Sequence, residues 1–272
     1  MQGKSIRRSA IAGTWYPGRA STLTRTVQDY LAQVPARQEK GELLGLIVPH
    51  AGYQYSGQVA AHAYKELEDK AFELIYLLGP SHRAWVGEVV TNEEDCYQTP
   101  LGLVELERRA LDALASHIHL NQVRGDMEHS LEIQLPFLQV VLGEFRLVPI
   151  IMGGQSLTTC QALASALVAT LRKHPGLMVA SSDLSHFHPY DRARSLDELV
   201  VSAVRKLDPE GLLKDLASGR CEACGGGPIA TVLMAARDLG ASRVEILNYA
   251  NSGDVTGDRS SVVGYLAAAI YA

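Results

Sequence analysis

Three histidines in this chain, His50, His82 and His186, each end a short apolar run of the sequence. Such runs are typical of strands buried on both faces of a parallel or mixed sheet, and ligands bind beyond the carboxyl ends of these strands. Imidazole is the commonest metal ligand in proteins, and it transfers protons near neutral pH. We therefore expect the three imidazoles to converge on one site.

Cys224 is the best candidate for a ligand that is not a histidine. The residues that follow it, Gly-Gly-Gly-Pro at 225–228, predict the start of a helix, because proline suits the first helical turn. A thiolate is favoured near a helix N-terminus and beside histidines or a metal. With His50 and His82, Cys224 would form a set of two imidazoles and one thiolate with open coordination positions. The competing interpretation is a small buried hydrophobe.

Two further groups of polar residues fit around such a set. His186 would be either a fourth ligand or a general acid and base, and Asp183 would orient an imidazole or accept its proton. Glu128, His129 and Glu132 precede an apolar helix, where they form a charge cluster favoured by the helix dipole or point into a polar pocket. If they point into a pocket, hydrogen bonding to the metal ligands fits these residues better than direct binding of the metal.

Cys221 and Cys224 form a lone Cys-x-x-Cys pair, which on a redox interpretation would become a disulfide. A structural zinc site would need a second pair, and Cys96 and Cys160 are isolated from each other and from any close histidine. A metal-free dithiol couple is therefore kept as an alternative to metal ligation by Cys224.

The elements that must position these residues alternate between helical and strand patterns. Apolar residues recur three and four apart at 160–171 and 196–207, which predicts amphipathic helices, while 145–152, 177–181 and 244–249 are strand-like. This alternation predicts an α/β fold. The run 261–271 predicts a strand, although its alanines leave a helix open. Pro136 predicts a kink or a late start in a buried helix within 128–142.

Composition limits the class of protein further. The 272 residues are 47% hydrophobic and 20% charged, with a net charge of -5. The net negative charge does not suit a nucleic-acid-binding surface, and the pair Arg7-Arg8 is too short to form one. No segment of the sequence is apolar over the length that a membrane span requires. The longest polar stretches, 36–42 and 91–98, are loop-sized, so we expect a single domain over residues 1–272. Four cysteines without a secretion signal predict reduced thiols and a cytoplasmic protein.

The motifs in this chain resemble those of the Memo proteins, a family named for a mediator of cell motility and widespread in bacteria and archaea. The matching segments run nearly end to end, at 12–16, 49–53, 78–82, 99–102, 128–137, 181–186, 224–225, 251–254 and 263–265. The resemblance implies a three-layer α/β/α fold with a central mixed sheet, as in the class III extradiol ring-cleaving dioxygenases.

The resemblance also implies roles for individual residues. His50, His82 and Cys224 would be metal ligands, and His186 would take the place of the dioxygenase acid and base. Cys224 stands where those dioxygenases use a carboxylate. Two histidines and a carboxylate suit iron(II), whereas a thiolate shifts the preference towards copper(I) or zinc, so all three metals stay open. Arg83 follows His82, where relatives often carry a further histidine.

Two functions remain in competition at this stage. The first is a redox metalloenzyme that activates dioxygen or a phenolic substrate, with His186 as base and Trp15 or Tyr53 lining the pocket. The second is a non-catalytic protein that uses the same cleft for a metal, a peptide or a metabolite. The resemblance further implies a functional link to a radical S-adenosylmethionine protein.

Overall fold

The computed structural model describes residues 3–35, 41–83 and 87–272. Helices and strands alternate along these residues, as the sequence pattern predicts. In chain order the elements are β1 (Ile6–Arg7), α1 (Ala20–Ala32), β2 (Leu43–Val48), α2 (Tyr53–Lys65), β3 (Leu74–Pro80), β4 (Val89–Asn92), β5 (Cys96–Thr99), β6 (Gly102–Leu106), α3 (Arg108–Ala115), β7 (Asn121–Val123), a 3₁₀ turn (Glu132–Gln134), α4 (Leu135–Leu142), β8 (Arg146–Met152), α5 (Leu157–Leu171), β9 (Leu177–Ser181), β10 (Asp183–His188), α6 (Tyr190–Arg205), α7 (Pro209–Ala217), α8 (Gly226–Asp238), β11 (Arg243–Asn251), α9 (Ser252–Thr256) and β12 (Val262–Tyr271).

The strands form one mixed sheet in the order β1-β5-β6-β8-β3-β9-β2-β12-β10, and β11 pairs with the other edge of β12. The neighbours β8, β3, β9 and β2 are parallel, whereas β12 is antiparallel to β2, β10 and β11. Helices α1, α2 and α4 pack together with α2 against β2 and β12, and α5, α7 and α8 pack together with α8 against β2, β3 and β9. The predicted three-layer α/β/α fold with a central mixed sheet is confirmed.

The local predictions are confirmed at most positions. The fully buried β3 and β9 are continuous apolar runs, as expected for strands covered on both faces. The run ending at Tyr271 is a strand, because it pairs with three others. Helix α4 has its late start at Leu135, so that Pro136 falls in the first turn. Helix α8 begins at Gly226, two residues after Cys224.

Two predictions need correction. The run 177–186 that ends in His186 is not one strand, because the chain leaves β9 at Ser181 and enters β10, which pairs with β12. His186 therefore lies inside an antiparallel strand rather than beyond a parallel one. The polar stretch 91–98 is not a loop, since β4 and β5 occupy most of it. Of the other predicted loop, 36–42, residues 36–40 lie outside the described residues.

Within the described residues, no helix is both long enough and apolar enough to cross a membrane.

Candidate functional site

His50 and His82 occupy corresponding places at one edge of the sheet. His50 follows β2 and His82 follows β3, and both strands pair in parallel with β9, so their carboxyl ends meet. Cys224 reaches the same point from the loop before α8. The donor atoms of these three side chains all lie within 4.8 Å of one another, and the Nε2 atom of His50 is 3.0 Å from the Cys224 sulfur. The three side chains that the sequence singled out thus lie together, and their role as metal ligands stays a prediction.

Hydrogen bonds fix which nitrogen of His50 faces the thiol. The Ser181 hydroxyl donates to the carbonyl of Ser130 at 2.6 Å and accepts from the amide of Gln134 at 2.8 Å. Because its proton is committed, the Ser181 oxygen accepts from Nδ1 of His50, 3.0 Å away. Nε2 then carries the lone pair. Burial, followed by the charges of His82 and His129, lowers the pKa of His50 well below its ordinary value and keeps the ring neutral.

His82 is held by a carboxylate rather than by a hydroxyl. Glu128 lies 2.6 Å from the His82 backbone nitrogen and 3.0 Å from its Nδ1, and it also accepts from the backbone N–H groups of His129 and Ser130. Burial alone would raise the pKa of Glu128, but the hydrogen bonds from His82 and Ser130 lower it to about 2. Glu128 therefore stays ionised and leaves Nε2 of His82 free to ligate. The sequence favoured this kind of role for Glu128, in which it hydrogen-bonds to a histidine rather than binding a metal itself.

The thiol of Cys224 differs from the expectation. Proximity to a helix N-terminus predicts a favoured thiolate, yet burial, with the charge of Asp183 added, raises the pKa of Cys224 to about 12. The thiol proton therefore stays on sulfur at neutral pH and can be donated to the Nε2 lone pair of His50. Metal binding would have to displace that proton.

Asp183 holds the loop that carries His50. One carboxyl oxygen accepts from the backbone N–H groups of His50 at 2.7 Å and of Ala51 at 3.2 Å. Burial raises the pKa of Asp183 to about 7, although these two hydrogen bonds act in the opposite direction. The contact to an imidazole that the sequence suggested is replaced by a contact to backbone. A catalytic role for Asp183 stays a prediction.

His186 lies across the cavity from the ligand group. Its donor nitrogens do not join the clusters of potential metal ligands that the described residues form, so the fourth-ligand alternative gains no support. Burial lowers its pKa, which keeps the ring neutral and able to accept a proton. Its role as acid and base stays a prediction.

A cavity of about 680 Å³ opens above these side chains. Its floor is formed by imidazoles and one carboxyl, and three aromatic residues stand at its mouth. The lining residues used below are His50, His82, His129, Asp183, His186, Trp15, Tyr55 and Phe187. Trp15 was expected here. Tyr53 lies behind this wall, where its hydroxyl donates to the carbonyl of Ile133 at 3.0 Å and its N–H to that of Trp15 at 2.9 Å.

His129 is sandwiched between an imidazole and an indole. Its ring centroid is 4.5 Å from that of His82 and 4.4 Å from that of Trp15. Its Nδ1 lies 3.3 Å from Glu128 without forming a hydrogen bond, and burial lowers the pKa of His129 to about 4. Donor atoms of His82, Glu128 and His129 form a second close group. Since Glu128 is already committed to Nδ1 of His82, we interpret that group as support for the ligand.

A second cavity, of about 520 Å³, is lined in part by Cys224. Cys221, Cys224 and His186 contribute to its lining together with apolar residues of α7. Burial raises the pKa of Cys221 to about 11. Both thiols therefore keep their protons at neutral pH, which gives the dithiol couple no electrostatic activation.

Sequence reasoning missed a buried ion network behind the site. Arg7 donates to Glu132 at 2.8 Å, to Asp126 at 2.8 and 3.0 Å, and to the carbonyl of Glu128 at 2.5 Å. Glu132 is fully buried and also accepts from the hydroxyl of Tyr16 and from Ser9, Ala10 and Ile11. The network ties the segment that carries Trp15 to the segment that carries Glu128. A glutamate just before an apolar helix was the available signal, because a buried carboxylate requires a partner.

Known proteins resemble this chain along almost its full length. The family profile described as Memo-like protein matches residues 7–269. A MEMO1 family protein of Methanosarcina barkeri is 39% identical over 267 residues, covering 96% of this chain and 98% of the relative. Those of Nitrosopumilus maritimus and Pyrobaculum aerophilum are 36% and 35% identical and cover 96% and 98% of this chain and 98% and 99% of their own lengths.

The matched region includes every residue of the histidine and cysteine cluster. His50, His82 and Cys224 all fall within residues 7–269, as do Glu128, which holds His82, and the rest of the cavity floor. The profile and the relatives therefore agree with the motifs that first suggested the family, and the chain belongs to the Memo family.

Proposed function

We propose that this protein binds one metal ion through His50, His82 and Cys224 and acts as a dioxygenase-like redox enzyme on a phenolic substrate. The observation that carries the proposal is the donor set. Two imidazoles lie beside a thiol, and each is held by a partner on its Nδ1 atom. Such partners fix ligand geometry in metal sites. A bound iron(II) or copper ion would supply Lewis acidity and one-electron chemistry with dioxygen.

The chain's own residues supply the proton transfer and the binding surface. His186 is neutral and faces the cavity, so it suits the removal of a proton from a phenolic hydroxyl. Asp183 faces the same cavity and is the second candidate for proton transfer. Trp15 adds an aromatic surface to the cavity lining.

The donor set narrows the metal to three candidates. Imidazole suits iron, copper and zinc, and a thiolate adds preference for copper(I) or zinc. We propose iron(II) or copper for redox function, with zinc as the third candidate. The thiolate also marks a difference from the extradiol dioxygenases, which use a carboxylate at this place.

A second candidate function is non-catalytic binding of a metal, a peptide or a metabolite. The exposed aromatic residues at the cavity mouth favour it, because they suit a side chain or a small molecule without requiring chemistry. Under either function we propose a cytoplasmic protein without a nucleic-acid partner. Under either function we also propose that the protein acts in one pathway with a radical S-adenosylmethionine protein.

Metal analysis of the purified protein tests the ligand assignment. The protein is expressed with iron, copper or zinc, and one equivalent of metal is expected. His50→Ala and Cys224→Ser should each lose bound metal, whereas Cys221→Ser is the matched control and should keep it. Stoichiometric binding that is unchanged in both ligand variants would contradict the assignment.

Turnover separates the two functions. Protein loaded anaerobically with iron(II) is exposed to a catechol and dioxygen, and oxygen uptake is followed together with the yellow colour of ring-cleavage products. Uptake that depends on His186 supports the enzyme. Metal binding without any uptake for a series of catechols favours the binding protein.

A further inference from the structure

Phe187 has a backbone conformation that a bulky residue rarely adopts. Its φ is +61°, in the left-handed region, where the Cβ atom crowds the following carbonyl oxygen. The other non-glycine residues with positive φ in the described chain are Asp69, in a turn, and Leu207, just after α6, where this conformation is common. Phe187 instead lies inside β10.

The strain comes with an irregular strand. The pairing of β10 with β12 shifts register between Asp183 and His186 and again between His186 and His188. Such irregularities turn a strand and re-aim its side chains, often beside active sites. Here the result places His186 and Phe187 on the same cavity wall, with ring centroids 5.7 Å apart.

The side chain gains little from packing in return. Phe187 is 75% exposed, the largest exposure of the large hydrophobic residues in the described chain. Glycine would adopt the same φ without strain. Folding alone therefore does not account for an aromatic residue at this position.

The other exposed aromatic residues of this kind lie around the same opening. Trp15 and Tyr55 are 37% and 38% exposed, and both line the cavity with Phe187. The remaining large hydrophobic residues exposed to this degree in the described chain are aliphatic, namely Ile6, Leu103, Met127, Leu157 and Val255. Exposed aromatic surface is thus concentrated above the imidazoles.

We infer that Phe187 is a specificity-determining residue, which with Trp15 and Tyr55 receives the planar aromatic ring of a small hydroxylated ligand. The inference rests on the proposed function only in using the same cavity. Aromatic pairs prefer edge-to-face or offset contacts, which three rings at one mouth can offer. The imidazoles of the floor lie where a ring hydroxyl would find hydrogen-bond partners. A saturated ring with the same hydroxyls would keep those partners and lose the aromatic contacts.

Binding to metal-free protein tests the inference apart from metal chemistry. The probes are catechol and its saturated counterpart, cyclohexane-1,2-diol. Affinity is measured by ligand-observed saturation-transfer NMR and by Trp15 fluorescence in a Trp85→Phe background. Catechol should bind more tightly than the diol. Phe187→Gly should lower the affinity for catechol by about two- to tenfold, which is the range for loss of one aromatic contact. The affinity for the diol should stay unchanged.

Urea unfolding separates a ligand contact from a structural role. In Phe187→Gly, relief of the left-handed backbone offsets the larger entropy of unfolded glycine, so the midpoint should stay or rise. Leu103→Gly is the control, because Leu103 is exposed in β6 without positive φ. It should lower the midpoint and leave catechol binding intact.

Three results would overturn the inference. If Phe187→Gly and the parent protein bind catechol with equal affinity, Phe187 does not contact the ligand. A midpoint lowered as far as in Leu103→Gly assigns Phe187 to the fold. Binding of N-acetyl-tyrosinamide, with catechol and the diol equally weak, assigns the surface to a peptide rather than to a small molecule.

Discussion

Two buried carboxyl groups hold His50 and His82, the two histidines that we propose as ligands, and they differ in charge at neutral pH. Glu128 accepts from the backbone N–H of His82, and Asp183 accepts from the backbone N–H of His50. Each therefore fixes the loop that follows a strand of the sheet. Yet the pKa of Glu128 is lowered to about 2 and that of Asp183 is raised to about 7.

The number of donors decides the difference. Glu128 receives three backbone N–H groups and the Nδ1 proton of His82, which outweigh its desolvation. Asp183 receives two backbone N–H groups, and its burial is the larger effect. Two carboxyl groups with matching contacts to the histidine backbone thus give an anion on one side of the site and a group that titrates near neutral pH on the other.

The Glu128 side is also backed by a second layer of charge. Arg7 contacts the carbonyl of Glu128 and the carboxylates of Asp126 and Glu132. We conclude that the side holding His82 is fixed by a network of charges, whereas the side holding His50 is fixed by hydrogen bonds to Asp183 and to the Ser181 hydroxyl.

The largest expected effect is on Glu132 in that second layer. Glu132→Gln keeps the shape and leaves the buried Arg7 without one of its charged partners, so we expect a loss of about 3–5 kcal/mol in the free energy of unfolding. Urea denaturation measures it. Glu210→Gln breaks the exposed pair with Arg237 and serves as control, with a loss below about 1 kcal/mol. Equal losses of unfolding free energy in the two variants would mean that the network of Arg7 and Glu132 does not stabilise this side of the site.

A smaller effect is expected at Glu128. Glu128→Gln removes the anion that orients His82, and metal affinity should fall about 10- to 100-fold. Titration with cobalt(II), followed by its sulfur charge-transfer absorption, measures affinity and reports Cys224 ligation. Glu222→Gln removes the partner of His188 at the exposed end of β10 and should leave the affinity unchanged. An unchanged affinity in Glu128→Gln would mean that the carboxylate serves the fold alone.

An effect of opposite sign is expected at Asp183. Its pKa is raised from 3.8 to about 7, so the folded state binds more protons than the unfolded state between these pH values, and stability falls as the pH rises from about 4 to 7. Asp183→Asn keeps an oxygen acceptor without the charge. It should unfold at a higher urea concentration than the parent protein at pH 8 and at the same concentration as the parent at pH 4.

The pH dependence of Glu128 runs the other way. Its pKa is lowered from 4.5 to about 2, so its contribution is present above pH 4.5 and is lost as the pH falls towards 2. Denaturation of the parent protein and both variants from pH 3 to 8 separates the two. Parallel curves for Asp183→Asn and the parent protein would contradict the raised pKa.

The sequence predicted what depends on regular periodicity and on motifs. The runs before His50 and His82 predict parallel strands whose ends meet, and the motif around Cys224 brings the thiol to the same place. His186 was misplaced because an apolar run carries no mark of the break between β9 and β10. The partnership of Arg7 with Glu132 was invisible for another reason: it joins segments more than a hundred residues apart, and pairing at that distance follows from the assembled fold.

The position of β12 also has a consequence for synthesis on the ribosome. Ile47 of β2 pairs with Ala268 of β12. The strand that precedes His50 therefore lacks this neighbour until the last residues of the chain have been synthesised. Until then β2 exposes an apolar edge that can pair with other chains. Long-range pairing of this kind slows folding. We therefore expect the nascent protein to depend on protection by chaperones until β12 has been synthesised.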